Sequence, residues 1–126
     1  MSDSSTIAVL GASKHRDKFG NKCVRAYIQA GWDVYPVNRS GDEIEGLPVY
    51  GKLADVPVEL DRVSVYLPPP VTIEVIPEIA EKGAREVWFN PGSADPKVFD
   101  AAREAGLEAV DGCSIVDIGL SPSQFP

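Results

Sequence analysis

Short apolar runs alternate along this chain with stretches whose apolar residues recur at helical spacing. The five apolar runs are Thr6–Leu10, Asp33–Val37, Arg62–Leu67, Glu86–Phe89 and Leu107–Val110. Three helical stretches end in Gly31, Gly83 and Gly106, directly before an apolar run, and glycine readily takes the left-handed conformation that ends a helix. Strands that alternate with helices are joined by right-handed crossovers and form a parallel sheet covered on both faces. The sequence therefore predicts an α/β, Rossmann-like, three-layer domain with a five-stranded, mostly parallel sheet.

For five such strands the half-Rossmann order is 3-2-1-4-5, and we expect that order here. The second run contains Pro36, and proline fits poorly in a central ladder, so this strand should tolerate edge or irregular pairing. Residues 40–60 are the least regular part of the chain. A short strand is expected near Pro48–Tyr50.

The chain of 126 residues is interpreted as one domain, 1–126, with loose tails over about 1–5 and 121–126. Its first residues, Met-Ser-Asp-Ser-Ser, include neither a basic stretch nor an apolar run, so we expect no signal peptide and no membrane span. The two cysteines should then be reduced in the cytoplasm. His15 is the single histidine and has no partner at metal-ligand spacing, so no metal site is expected.

The charge of the chain is negative but unevenly distributed. Twelve Lys and Arg residues oppose 19 Asp and Glu residues, a formal charge of -7 that disfavours nucleic-acid binding. Five cations nevertheless fall within twelve residues: Lys14, Arg16, Lys18, Lys22 and Arg25. Such a run is either a solvated surface or an anion site. Its position between the first strand and the first helix favours an anion site.

Ligands of open parallel sheets bind beyond the carboxyl ends of the strands. The loop over residues 11–20 lies there and leads into a helix, so its backbone N–H groups would face a phosphate. The residues suited to phosphate are Gly11, Ser13, Lys14, Arg16 and Lys18. The loop is not a Gly-x-Gly-x-x-Gly fingerprint, because serine takes the second glycine position and the next glycine is Gly20.

The second strand ends in Asn38-Arg39-Ser40, where an NAD-binding domain usually carries an acidic residue for the ribose hydroxyls. An arginine at this position favours a ribose with an extra phosphate, because guanidinium and phosphate form charge-assisted pairs. NADP and coenzyme A (CoA) both fit that description. The alternative is that Arg39 only extends into solvent.

These motifs together resemble those of the small bacterial CoA-binding proteins related to the CoA-binding domain of the succinyl-CoA synthetase alpha subunit. The likeness runs from about Ile7 to Val116. It rests on Gly11-Ala12-Ser13, Lys18-Phe19-Gly20, Val37-Asn38, Glu45-Gly46, Pro68-Pro69-Pro70, Asn90-Pro91-Gly92 and Cys113. The sequence departs from the family at Arg39 and Asn90, where proline and glutamine are often found.

The resemblance implies phosphate contacts from Gly11, Ser13 and Lys18, ribose-phosphate contacts from Asn38 and Arg39, and adenine contacts from Pro68, Pro69 and Val71. The complete predicted ligand-binding set is Gly11, Ala12, Ser13, Lys14, Arg16, Lys18, Gly20, Asn38, Arg39, Pro68, Pro69, Val71, Asn90, Pro91, Gly92 and Cys113. Because the ligase domain of the synthetase has no counterpart in these residues, the resemblance implies binding and not catalysis.

The leading hypothesis is therefore non-catalytic binding of CoA or an acyl-CoA, by a sensor or by a module that docks onto a catalytic protein partner. An enzyme is the alternative, either an NADP-binding oxidoreductase or a thiol-dependent acyl-transfer enzyme. Cys113 would be the nucleophile, since it begins the last short helix. A reductase would need a substrate domain, for which 126 residues leave no room. An interaction protein with a vestigial pocket is a third hypothesis.

Overall fold

The computed structural model describes residues 5–39 and 43–126. Its sheet contains β1 (Thr6–Leu10), β2 (Asp33–Val37), β3 (Arg62–Val65), β4 (Glu86–Phe89) and β5 (Ala109–Asp111). Each neighbouring pair of strands is parallel. The predicted five-stranded Rossmann-like α/β architecture is confirmed.

Four α-helices connect and follow the strands within the described ranges. They are α1 (Phe19–Gln29), α2 (Pro69–Lys82), α3 (Pro96–Glu104) and α4 (Ser114–Asp117). Two 3-10 turns lie at Leu53–Asp55 and Pro122–Gln124. Gly31, Gly83 and Gly106 all have φ near +80°, so the predicted glycine endings of the first three helices are confirmed. Among the helices of residues 5–39 and 43–126, none has the length and apolar character needed to cross a membrane.

Each face of the sheet has its own apolar core. On one face, α2, α3 and the turn at Leu53–Asp55 cover the strands, and Ile79 is fully buried among them. On the other face, α1 and α4 cover the strands, and Tyr27 and Ile115 are fully buried. Burial on both faces explains why the strands are continuous apolar runs without alternation.

The predicted strand order, 3-2-1-4-5, is wrong: the observed order is β2-β1-β3-β4-β5. Among the described residues, Tyr50 alone pairs with the outer side of β2. Its N–H donates to the Pro36 carbonyl and its carbonyl accepts from the Asn38 N–H, both at 3.0 Å. The expected short strand near residues 48–50 is reduced to this single bridge, and the next full strand, β3, lies on the far side of β1. Pro36 does lie in an edge strand, as predicted.

The expectation of a loose tail over residues 121–126 is also wrong. Ser121 caps the turn at Pro122–Gln124, and Phe125 is buried against the α1 face of the sheet. The Arg25 guanidinium lies over the Phe125 ring at 5.7 Å and donates to the Phe125 carbonyl at 2.9 Å. This segment therefore packs beside α1 and forms part of the core on that face of the sheet. Of the other expected tail, residues 1–4 lie outside the described residues.

We expect Phe125→Ala to lower the free energy of unfolding by about 3 kcal/mol, because it removes a buried aromatic side chain from the core. Phe19, which is 58% exposed, provides the matched control, and Phe19→Ala should change stability by less than about 0.5 kcal/mol. Urea denaturation followed by circular dichroism measures both. Equal stability of the two variants would show that the tail does not pack as described.

Candidate nucleotide-binding cleft

Two adjoining cavities lie at the carboxyl ends of the strands. The first cavity, of about 630 Å³, is lined by Leu10, Gly11, Val37, Asn38, Arg39, Gly51, Lys52, Asp55, Leu67, Val71, Val75 and Glu78. The second cavity, of about 520 Å³, is lined by Gly11, Ala12, Ser13, Lys18, Phe19, Gly20, Asn38, Tyr66, Leu67, Pro68, Pro91, Gly92 and Ser93. Gly11, Asn38 and Leu67 line both. The two cavities form one cleft that passes over the end of β1, next to the point where the strand order reverses.

Glycine is required at both ends of the loop that leaves β1. Gly11 has φ +82°, and a Cβ atom there would lie 2.8 Å from the Tyr66 carbonyl oxygen. At Gly20, a Cβ atom would lie 2.3 Å from the Gly11 carbonyl oxygen, which is backbone and cannot move aside easily. The first turn of α1 therefore rests directly on the backbone of the loop.

Side-chain amides hold this loop from two sides. The Asn38 Nδ2 donates to the Ala12 carbonyl at 2.6 Å, and the Asn21 Nδ2 donates to the Ser13 carbonyl at 2.9 Å. Within the loop, the His15 N–H donates to the Ser13 Oγ at 3.0 Å. The loop thus has a fixed shape before any ligand binds, and Asn38 contributes to that shape besides lining the cleft.

The amino end of α1 faces the second cavity, where Lys18, Phe19 and Gly20 form part of the wall. Lys18 is the N-cap residue, its side chain makes no capping hydrogen bond, and the first turn contains no acidic residue. The first N–H groups of a helix have no partner inside the helix, and the helix dipole makes that end positive. The arrangement is suited to an anion such as a phosphate.

The basic residues around this loop differ in what they contact. Lys18 is exposed and lines the second cavity, and Lys14 is also exposed. Arg16 forms an exposed ion pair with Glu45 at 3.4 Å. Arg25 donates to carbonyl oxygens of the loop and of the carboxyl-terminal segment, so its role is structural. Of the predicted cation cluster, Lys18 therefore lies in the cleft, whereas Arg25 holds other parts of the chain together.

The first cavity combines apolar walls with charged residues. Val71 and Val75, one turn apart on α2, face it together with Val37 at the end of β2. Arg39 and Lys52 line it as well. An apolar slot next to cations matches the flat base and the phosphate of a nucleotide.

The proline turn after β3 begins a helix. Pro69 is the first residue of α2, where its missing N–H is not needed, and it is half-buried. Pro68 lines the second cavity, and Pro91 and Gly92 face it from the loop after β4. Pro69 is not among the described residues that line either cavity.

Asn90 has a different role from the one predicted. It is 1% exposed, and its Nδ2 donates to the Ser64 Oγ at 2.8 Å and to the Val65 carbonyl at 2.9 Å. Its Oδ1 accepts from the Ser114 N–H at 2.9 Å, and its carbonyl accepts from Ser93. Both ends of the amide are thus used to join β4, β3 and α4, and the side chain supports the cleft from below.

Cys113 is the N-cap residue of α4 and is half-buried in the core on the α1 face. It is absent from the described residues that line the two cavities. Cys23, in α1, is fully buried, and burial raises the pKa of its thiol. Among residues 5–39 and 43–126, no group of three His, Cys, Asp or Glu side chains could hold a metal ion.

Sequence reasoning missed several residues of the cleft. Those that line it without having been predicted include Phe19, Lys52, Tyr66, Leu67, Val75 and Ser93. Val75 could have been found, since it lies one helical turn after Val71. Lys52 could not, because its position depends on the single bridge between Tyr50 and β2.

A helix end suited to phosphate and an apolar slot at the strand ends of a doubly wound sheet are features of nucleotide-binding α/β domains. The chain belongs to the CoA binding domain family, whose model matches residues 5–119.

Curated relatives include larger proteins. A trans-feruloyl-CoA synthase of an unknown prokaryotic organism is 32% identical over 82% of this chain and 14% of its own length. An ADP-forming acetate–CoA ligase of Archaeoglobus fulgidus is 35% identical over 64% of this chain and 12% of its own length. The chain thus spans less than a sixth of these two relatives.

Solved structures include small proteins of similar size. A conserved hypothetical protein from Pyrococcus furiosus superimposes with a TM-score of 0.82 at 34% identity, covering 90% of this chain and 98% of that one. A dinucleotide-forming acetyl-coenzyme A synthetase from Ca. Korarchaeum cryptofilum, in its apo form, superimposes with a TM-score of 0.76 at 28% identity, over 86% of this chain and 26% of that one. The same fold therefore occurs both in a small protein of similar size and as part of a longer chain described as an acetyl-coenzyme A synthetase.

We expect Gly20→Ala to lower the free energy of unfolding by about 2 kcal/mol or more, because the new methyl group would overlap the Gly11 carbonyl. Gly51 is the control, since a Cβ atom there meets nothing within 4 Å and its φ is not positive. Thermal unfolding of both variants tests this. A Gly20→Ala variant as stable as Gly51→Ala would contradict the close contact of α1 with the loop.

Thiol labelling with Ellman's reagent near pH 8 should modify one of the two cysteines in the folded protein and both in denaturant. Cys23 should be unreactive because it is buried and its raised pKa leaves less thiolate at that pH. Cys113→Ser should abolish the rapid reaction. Rapid modification of Cys23 in that variant would show that α1 opens readily.

Proposed function

We propose that this protein binds CoA or an acyl-CoA along the cleft at its strand ends and does not itself catalyse a reaction on it. The observation that carries the proposal is the continuity of the two cavities across Gly11, with the uncapped end of α1 in the wall of the second cavity. A ligand with a base at one end, phosphates in the middle and a flexible arm at the other end matches that order of surfaces.

In this proposal, the adenine lies between the apolar residues of the first cavity, beside Val37 and Val71. The ribose 3′-phosphate lies near Arg39. The pyrophosphate lies against the loop and the N–H groups of α1, with Lys18 beside it. The pantetheine arm then follows the second cavity past Pro68 and Pro91.

The second cavity, which would receive the thiol or thioester end, has little chemistry for catalysis. Its described lining includes no carboxylate, imidazole or thiol. Its titratable residues are Lys18 and Tyr66, and burial raises the pKa of the Tyr66 phenol, which keeps it protonated. General acid–base catalysis needs a group that titrates near the working pH. A binding role is therefore favoured over an acyl-transfer role for Cys113.

The biological role that fits is that of a sensor of CoA or acyl-CoA, or of a module that docks onto a catalytic protein. The second possibility is supported by the relatives described as acetate–CoA ligases, in which the corresponding region is a small part of a longer chain. In both roles the protein would act in the cytoplasm, where its two free cysteines would remain reduced.

Isothermal titration of the ligand-stripped protein with CoA, dephospho-CoA and NADPH tests the proposal. We expect CoA to bind, and to bind more tightly than dephospho-CoA, because the Arg39 guanidinium would contact the 3′-phosphate. Preference for NADPH, or heat changes absent for all three ligands, would overturn the proposal and leave the fold and the family membership unchanged.

Charge reversal separates the two phosphate sites. Lys18→Glu should weaken CoA and dephospho-CoA alike, because both contain the pyrophosphate, whereas Arg39→Glu should weaken CoA more. Each loss should be about 1.5 kcal/mol or more, the size of a charge-assisted hydrogen bond. Arg85→Glu, a reversal of an exposed cation just before β4, at the opposite end of the sheet, should leave both affinities unchanged.

A further inference from the structure

The single bridge outside β2 fixes a second cation beside the first cavity. The Asn38 N–H donates to the Tyr50 carbonyl at 3.0 Å, so the residue before Arg39 is joined directly to the segment that leads to Lys52. Lys52 follows Tyr50 by two residues, a span of at most about 7 Å. Lys52 also begins the turn at Leu53–Asp55, whose first hydrogen bond runs from the Asp55 N–H to the Lys52 carbonyl.

Both cations are available to a ligand. Arg39 and Lys52 are exposed and line the first cavity. Within residues 5–39 and 43–126, neither side chain has an ion pair or a hydrogen bond, whereas Arg16, Arg62 and Arg103 each pair with a carboxylate. An anion in this cavity would therefore not have to displace an existing partner.

The acidic residues of the same cavity make the second cation necessary. Asp55 and Glu78 line the cavity with Arg39 and Lys52. With Arg39 alone, the wall would carry one positive charge against two negative charges, and it would repel a phosphate that is itself negative. The positive charge of Lys52 balances the second negative charge. Glu78 is seven residues beyond Val71 on α2, about 10 Å along the helix.

We infer that Lys52, together with Arg39, recognises the ribose 3′-phosphate and gives the site its preference for a 3′-phosphorylated adenine nucleotide. The inference rests on the proposed function and adds a specificity-determining residue to it. A phosphate with charge near -2 accepts hydrogen bonds on three oxygens, so an ammonium and a guanidinium can bind it simultaneously.

The test compares CoA with dephospho-CoA by isothermal titration for wild type, Lys52→Gln and Lys52→Arg. We expect Lys52→Gln to weaken CoA about tenfold while dephospho-CoA changes less than about twofold, since only CoA carries the phosphate. Lys52→Arg should retain most of the difference between the ligands. Asp55→Asn should act in the opposite direction and strengthen CoA, because it removes a negative charge from the cavity.

The matched control is Lys97→Gln, which removes an exposed cation from α3, outside both cavities, and should change neither affinity. An unchanged ratio of CoA to dephospho-CoA affinity in Lys52→Gln would overturn the inference while the proposed function stands. If that unchanged ratio came with an equal loss of affinity for both ligands, it would indicate a structural role of Lys52. Wild-type protein that binds neither ligand would overturn the proposed function, and the inference with it.

Discussion

The contact between the first turn of α1 and the loop that leaves β1 is the constraint on which the site depends. Gly20 allows the helix to rest on the Gly11 carbonyl, and Gly11 in turn lies against the backbone of Tyr66 after β3. Three backbone segments thereby meet without intervening side chains. The meeting point aims the helix N-terminus over β1 and leaves an open cleft on both sides of the loop.

Below this cleft, buried polar groups fix the relative positions of the strands. The Asn90 amide joins Ser64 on β3 to the amino end of α4, and the Ser64 and Ser114 hydroxyls are 2.7 Å apart. The Tyr27 hydroxyl donates to the Ser114 carbonyl at 2.7 Å, and burial raises its pKa to about 12. A buried polar group without a hydrogen-bond partner destabilises the folded state. Such a network therefore favours the one arrangement of α4 on the sheet in which its members are paired. This network forms the floor of the cleft.

The predicted strand order is wrong because the local sequence does not show on which side of the first two strands β3 pairs. Residues 48–50, Pro-Val-Tyr, form a short segment that ends at Gly51. The local sequence does not distinguish a strand from a single bridge there. In the structure Tyr50 occupies the position of a third strand, and β3 pairs with the free side of β1. Pro36 indicated the edge correctly, since a residue without an N–H cannot donate to a partner on that side. The same bridge places Lys52 on the first cavity, where no local pattern indicated it.

The sequence by itself determined the alternation of strands and helices, the glycine helix endings, the phosphate-suited loop after β1 and the resemblance to CoA-binding proteins. These follow from local periodicity and backbone preferences, which neighbouring residues decide. Only the tertiary structure decided the strand order, the packing of Phe125, the use of Arg25 and Asn90 as internal links, and the presence of Lys52 in the cleft. Each depends on contacts between distant segments, and whether a polar side chain binds a ligand or another part of the chain is settled by which partners the fold brings within hydrogen-bond distance.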